Sequence, residues 1–222
     1  MDNPQSSREQ LLLGPQALEG ELVLPAAARA LVLFAHGSGS SRHSPRNLQV
    51  ARILQRRSLG TLLFDLLTPD EAAQRARVFD IALLGQRLCD AIDDIDRRPA
   101  LARLPIGLFG ASTGAAAALL AAAARPQRVY AIVARGGRPD LALAALPGVR
   151  SPTLLIVGSA DIEVLALNRL AMQHLDGAPA ELQLVPGASH LFEEPGALAQ
   201  VAELAARWFC THLSLPAQPA GP

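Results

Sequence analysis

The chain has 222 residues, half of them hydrophobic, and carries 20 basic against 20 acidic side chains for a formal net charge of zero. That length suits one sizeable core, and neutrality with 4% aromatics argues against a nucleic-acid or membrane-surface binder. Every basic residue apart from the histidines is arginine, so lysine chemistries (a P-loop, a PLP Schiff base, a Ser-Lys dyad) are excluded.

Residues 1–9 and 215–222 are polar or proline-rich and are expected to be flexible termini around one domain over 10–214. Short strands are expected at 11–13 and 21–24. The continuous apolar run 31–35 (LVLFA) predicts a strand buried on both faces. A helix over 47–58, a strand at 61–65 (TLLFD) and a long amphipathic helix over 78–97 follow. Then come a strand at 106–109, an alanine-rich helix at 113–124 and a strand at 129–134 (VYAIVA). A short helix at 139–146, a strand at 153–157 and a helix at 163–175 lead to a last strand at 181–185 and a closing helix at 195–212. Such alternation predicts an α/β fold with a mostly parallel sheet and helices on both faces. Ligands in such sheets bind beyond the carboxyl ends of the strands, so the loops that follow strands are the informative ones.

The strongest signal is Gly110-Ala111-Ser112-Thr113-Gly114, a GxSxG between a strand and a helix. A nucleophile on a sharp strand-to-helix turn needs small neighbours at minus two and plus two. A serine nucleophile also needs a base and an orienter, in this fold in the order Ser, Asp/Glu, His. Asp161 follows the 153–157 strand and His190 follows the last strand, which makes Ser112, His190 and Asp161 the candidate triad, with Glu163 the rival orienter. The small residues of 36–41 (HGSGSS) suit a backbone oxyanion hole, for which the N–H groups of Ser38 and Thr113 are the candidates. Gly37-x-Gly39 after a strand, with Asp65 ending the next, also fits a dinucleotide site, but Arg42 stands where the third glycine belongs. The five histidines show no metal-ligand spacing, and His36 is expected to stabilise its own loop.

Arg135, directly after VYAIVA, and Arg42 and Arg46, in and after the 36–41 loop, bring positive charge to the mouth of the site. They either pair with loop acids such as Asp65 and Asp70 or bind a carboxylate or other anionic group on the substrate; Arg42 and Arg135 are the candidate substrate-binding residues. Only 18 residues, 135–152, separate the strand after the elbow helix from the strand bearing the acid, so no cap domain is expected there.

These features together resemble the small α/β-hydrolases of the dienelactone hydrolase-like superfamily. The segments that carry the resemblance are HGSGSSRHSPRN (36–47), TLLFDLLTPDE (61–71), FDI (79–81), GASTGAAAAL (110–119), ARGGRPDLA (134–142), ALNR (166–169) and GASHLFEEPGAL (187–198). The resemblance implies a carboxylesterase-like serine hydrolase acting on a small-molecule ester through Ser112, Asp161 and His190; no cofactor and no metal are expected. Relatives of this kind also occur fused to phosphoribosyltransferase domains, for which a chain of this length is expected to have no room. Dienelactone hydrolases proper carry a cysteine where this chain has Ser112; Cys89 and Cys210 lie elsewhere, on predicted helices, so the substrate is not carried over with the family name.

Thioester, amide or peptide hydrolysis on the same triad, and a non-catalytic binding protein that keeps the fold, stay open at this point. The expected setting is cytoplasmic, with reduced cysteines, no nucleic-acid partner and no membrane span; homo-oligomerisation is left open.

Overall fold

The computed structural model describes residues 6–213. In chain order the elements are β1 (Ser6–Leu13), β2 (Leu18–Pro25), β3 (Ala30–Ala35), α1 (Pro45–Arg56), β4 (Leu59–Phe64), α2 (Pro69–Ala72), α3 (Arg75–Val78), α4 (Ile81–Asp96), β5 (Ile106–Ala111) and α5 (Thr113–Ala124). They continue with β6 (Val129–Arg135), a 3-10 segment (Pro139–Gly148), β7 (Thr153–Gly158), α6 (Ile162–Met172), β8 (Ala180–Val185) and α7 (Ala197–Thr211).

The strands form one sheet in the order β1-β2-β4-β3-β5-β6-β7-β8. β1 pairs antiparallel with β2, and β2 with β4; every pairing from β4 to β8 is parallel. The chain starts winding in the opposite direction between β3 and β5, and the crevice at that switch point is where such sheets take their ligands.

Alternation along β3 shows why the strands read as unbroken apolar runs. Leu31, Leu33 and Ala35 join one core layer, with side chains of α4, α5, the 3-10 segment and α6. Ala30, Val32 and Phe34 join the other, with α1 and α7. Helix α5 is buried nearly all round, and its alanines let it lie close against the sheet and α4.

Two expectations need correction. Ser6–Glu9, expected as part of a flexible terminus, are strand: β1 runs in full register from Ser6 opposite Pro25 to Leu13 opposite Leu18. Its first residues are polar because it is an edge strand held by its backbone ladder, with burial only at Leu11 and Leu13. The other residues expected to be flexible, 1–5 and 215–222, lie outside the described ones. The helix expected over 78–97 begins instead at Ile81, because Asp80 caps it by accepting from the Leu83 N–H at 3.0 Å. The short helices α2 and α3 precede it, α2 opened by a Thr68–Glu71 capping box.

Candidate active site

Ser112 stands between the last residue of β5 and the first of α5, with φ 52° and ψ −122°. That left-handed conformation is strained for a residue with a Cβ. The surroundings hold it: the Ser112 N–H donates to the Arg135 carbonyl at 3.2 Å, and the Ser112 carbonyl accepts from the Arg138 and Ala115 N–H groups, each at 3.1 Å. The flanking glycines are dictated by space. A Cβ at Gly110 would lie 2.6 Å from the Gly114 carbonyl oxygen, and one at Gly114 would lie 2.6 Å from that of His36. Gly37 approaches less closely from the side: its Cβ would sit 3.0 Å from the Ser112 Cβ.

Asp161 and His190 come together as expected from their order. His190 Nδ1 and Asp161 Oδ2 are 2.7 Å apart. Asp161 occupies the N-cap position of α6 yet makes no capping bond with its side chain, so its carboxylate is given to the imidazole. Glu163, the rival, is exposed in the first turn of α6. The two loops are stitched to each other: the Ala160 N–H donates to the Ala188 carbonyl at 3.0 Å, and the Gly187 N–H to Ser159 Oγ at 2.7 Å. Glu194, which the sequence reading passed over, accepts from the Ser189 N–H at 2.9 Å and so braces the residue before His190; that bond holds its carboxyl below the usual range.

Ser112 and His190 line one cavity of about 250 Å³, shared with Gly37, Ser38, Arg46 and Arg135. Across the 36–41 loop lies a second, apolar cavity of about 320 Å³, walled by Leu67, Pro69, Ala72, Val78 and Leu84. Its rim is α2 and α3, two short helices that the sequence pattern does not predict. The 135–152 interval holds only the 3-10 segment.

The candidate oxyanion donors are differently placed. Thr113 is the first residue of α5, whose N–H has no acceptor within the helix. The Ser38 N–H donates to Thr113 Oγ1 at 2.9 Å, so the loop is tied to the elbow through the threonine hydroxyl.

His36 does stabilise its loop. Its Nε2 accepts from the Leu66 N–H at 3.1 Å while Nδ1 faces the Gly37 carbonyl at 3.0 Å, joining the ends of β3 and β4. Burial lowers its pKa, in keeping with a neutral ring.

The arginines divide. Arg42 turns to Asp65, which also accepts from the Arg42 N–H at 2.7 Å, and to Glu19. It lines neither of these cavities, and of its two expected roles the structure shows the pairing with a loop acid. The same bonds occupy the acid a dinucleotide ribose would need. Arg46 meets Glu193 at 3.6 Å at the surface. Arg135 is 7% exposed and forms no ion pair among the described residues.

Cys89 is buried in α4, where burial pushes its thiol pKa up, and Cys210 lies on α7; neither lines the Ser112 cavity. Among the described residues no group of three His, Cys, Asp or Glu is placed to hold a metal ion, and no helix is long and apolar enough to cross a membrane.

No protein-family model matches the chain. It is 55% identical over 207 residues to two Mycobacterium tuberculosis proteins, of strains CDC 1551 and H37Rv, whose names give them provisionally as phosphoribosyl transferases. The match takes in 93% of this chain and 46% of each of those proteins, so the chain spans about half their length. A solved structure of dienelactone hydrolase from Anabaena variabilis is 52% identical, with a TM-score of 0.90, over 95% of this chain and 100% of that one. The fold is shared more distantly with a dienelactone hydrolase-like promiscuous phosphotriesterase from metagenomic libraries, 16% identical with a TM-score of 0.75 over 94% of this chain and 99% of that one.

Proposed function

The chain belongs to the dienelactone hydrolase-like α/β-hydrolases, and from that premise we propose that it cleaves short-chain carboxylic esters through an acyl-enzyme on Ser112. One observation carries this reading: a serine held at positive φ on a strand-to-helix turn shares a cavity with a histidine whose Nδ1 is 2.7 Å from a carboxylate.

In the proposed reaction Ser112 Oγ attacks the ester carbonyl carbon while His190 Nε2 takes its proton. Asp161 fixes the tautomer and stabilises the imidazolium. The oxyanion is met by the Thr113 N–H and by the Ser38 N–H, which the Thr113 hydroxyl holds beside the elbow and shares with the negative charge as it develops. Each such donor is worth about 3 kcal/mol in acyl-transfer enzymes. The C–O bond breaks, His190 returns the proton to the leaving alkoxide, and water, deprotonated by His190, releases the acid. The modest apolar cavity across the 36–41 loop favours a short acyl or alcohol portion.

The phosphoribosyl transferase name of the M. tuberculosis proteins covers chains about twice as long; the Ser112 cavity favours acyl transfer. The test is fluorophosphonate labelling with peptide mapping, alongside a p-nitrophenyl ester series from C2 to C12. Label on Ser112 and a rate that falls beyond C4 to C6 are expected. An unlabelled Ser112, or a rate that climbs to C12, overturns the reading.

A further inference from the structure

Arg135 is a cation with nowhere to spend its charge. It ends β6, its carbonyl accepts from the Ser112 N–H, and its side chain leaves the sheet on the side of α1 and α7, the guanidinium carbon 5.9 Å from the centre of the Phe192 ring. Its Nε is buried and has no hydrogen-bond partner among the described residues. The other buried arginine, Arg87, has Glu71 at 2.8 Å, and Arg125 and Arg138 hold bidentate bonds to Asp93 and Asp140. Burial and the neighbouring charge of Arg46 push the Arg135 pKa down to about 10, which still leaves it charged at neutral pH.

A buried charge without a counter-ion is costly, and proteins retain one where a ligand supplies the opposite charge. The wall facing Ser112 is built to receive one. Arg46 and Arg135 line the same cavity, together with Ser40, Ser44 and the Asn47 amide. The N-terminus of α1, a helix of 12 residues capped by Ser44, opens there, adding the positive end of its dipole. Glu193, which meets Arg46 at 3.6 Å, is itself exposed.

We infer that Arg135, Arg46 and the first turn of α1 form a subsite for a phosphoryl dianion carried by the substrate beside the bond that Ser112 attacks. Two guanidinium groups and a helix N-terminus match a group of two negative charges and three acceptor oxygens better than a single carboxylate. This deepens the hydrolase reading and rests on it for the word substrate, whereas the anion site itself stands on Arg135.

The experiment has two arms. In the first, binding of inorganic phosphate and of acetate is measured by calorimetry at constant ionic strength, for the wild type, Arg135→Met and Arg46→Ala. Arg135→Met keeps the volume of the buried side chain, and Arg46→Ala alters a part-exposed position, so at least one variant reports from a folded protein. Phosphate is expected to bind at least tenfold more tightly than acetate, and each variant to weaken phosphate at least tenfold. In the second arm, kcat/KM is compared for p-nitrophenyl butyrate and for its analogues ending in a phosphonate or a carboxylate. The phosphonate ester is expected to be favoured at least tenfold over both, and its ratio to the neutral ester to fall towards one in Arg135→Met.

Phosphate binding that ignores both substitutions, or a carboxylate ester preferred over the phosphonate, overturns the subsite. Hydrolysis of the neutral ester without Arg135-dependent phosphate binding sinks the subsite and keeps the hydrolase. Arg135-dependent phosphate binding with no ester cleaved does the reverse.

Discussion

The Ser38 N–H points at the hydroxyl of Thr113, 2.9 Å away, so the glycine-rich loop after β3 is fastened to the residue that follows Ser112. Thr113 is buried, and valine matches its shape. Thr113→Val is therefore expected to lower stability by about 1 kcal/mol, the ordinary worth of one such bond. It should also lower kcat about tenfold with KM little changed, because Ser38 loses its aim. Thr113→Ser should restore both. An unchanged kcat in the valine variant, measured on p-nitrophenyl acetate, would show that the tether does not position the oxyanion donor.

Asp161 and Glu163 are two residues apart but face different tasks. Asp161→Asn leaves a side chain of the same size that no longer favours the required tautomer, and kcat should drop by roughly 10⁴. Glu163→Ala, at an exposed position, should stay within about twofold of wild type. Steady-state kinetics on a single short ester decides between them, and the opposite ranking would remove Asp161 from the triad.

Two glycines test the packing of the elbow. Gly114→Ala would drive a methyl group into the carbonyls that end β3, and a loss of about 3 kcal/mol is expected from overpacking. Gly39 has φ +69° with open space around it, so Gly39→Ala should cost only the left-handed strain, about 1 kcal/mol. Urea unfolding of the two variants reads the difference; equal losses would contradict the clash.

His36 links stability to pH. Its folded-state pKa lies below the unfolded value of about 6.5, so below that pH the unfolded chain takes up a proton that the folded chain refuses. Stability should therefore fall as pH drops from about 7 through 6.5 towards the folded-state value. His36→Gln can still accept from the Leu66 N–H but does not titrate there. The urea midpoint of wild type should decline more steeply than that of His36→Gln between pH 7 and 5. Parallel slopes would show that the buried ring carries no linkage.

Much of this molecule is written locally. A strand buried on both faces must be apolar throughout, so 31–35 and 153–157 declare themselves. GxSxG carries its own steric requirement, and Asp161 and His190 each follow a strand that any parallel sheet would bring to the same edge. Pro45 and Ser44 also mark the start of α1, two residues before the expected 47, since a proline is tolerated in the first turn and a serine caps it. The first half of β1, before the expected strand at 11–13, is hidden for the opposite reason: an edge strand is held by backbone bonds that leave no mark on its side chains.

What only the tertiary structure decided concerns the charges. Arg42, Arg46 and Arg135 are alike in sequence, each close to a strand end or helix start. Folding gives Arg42 to Asp65 and Glu19, leaves Arg46 near the surface beside Glu193, and buries Arg135 unpaired next to Ser112. Composition and spacing fix that a guanidinium is present and roughly where its backbone runs. Whether it finds a carboxylate depends on which side of the sheet the strand's alternation sends it to, and on which distant segments the crossovers have packed there.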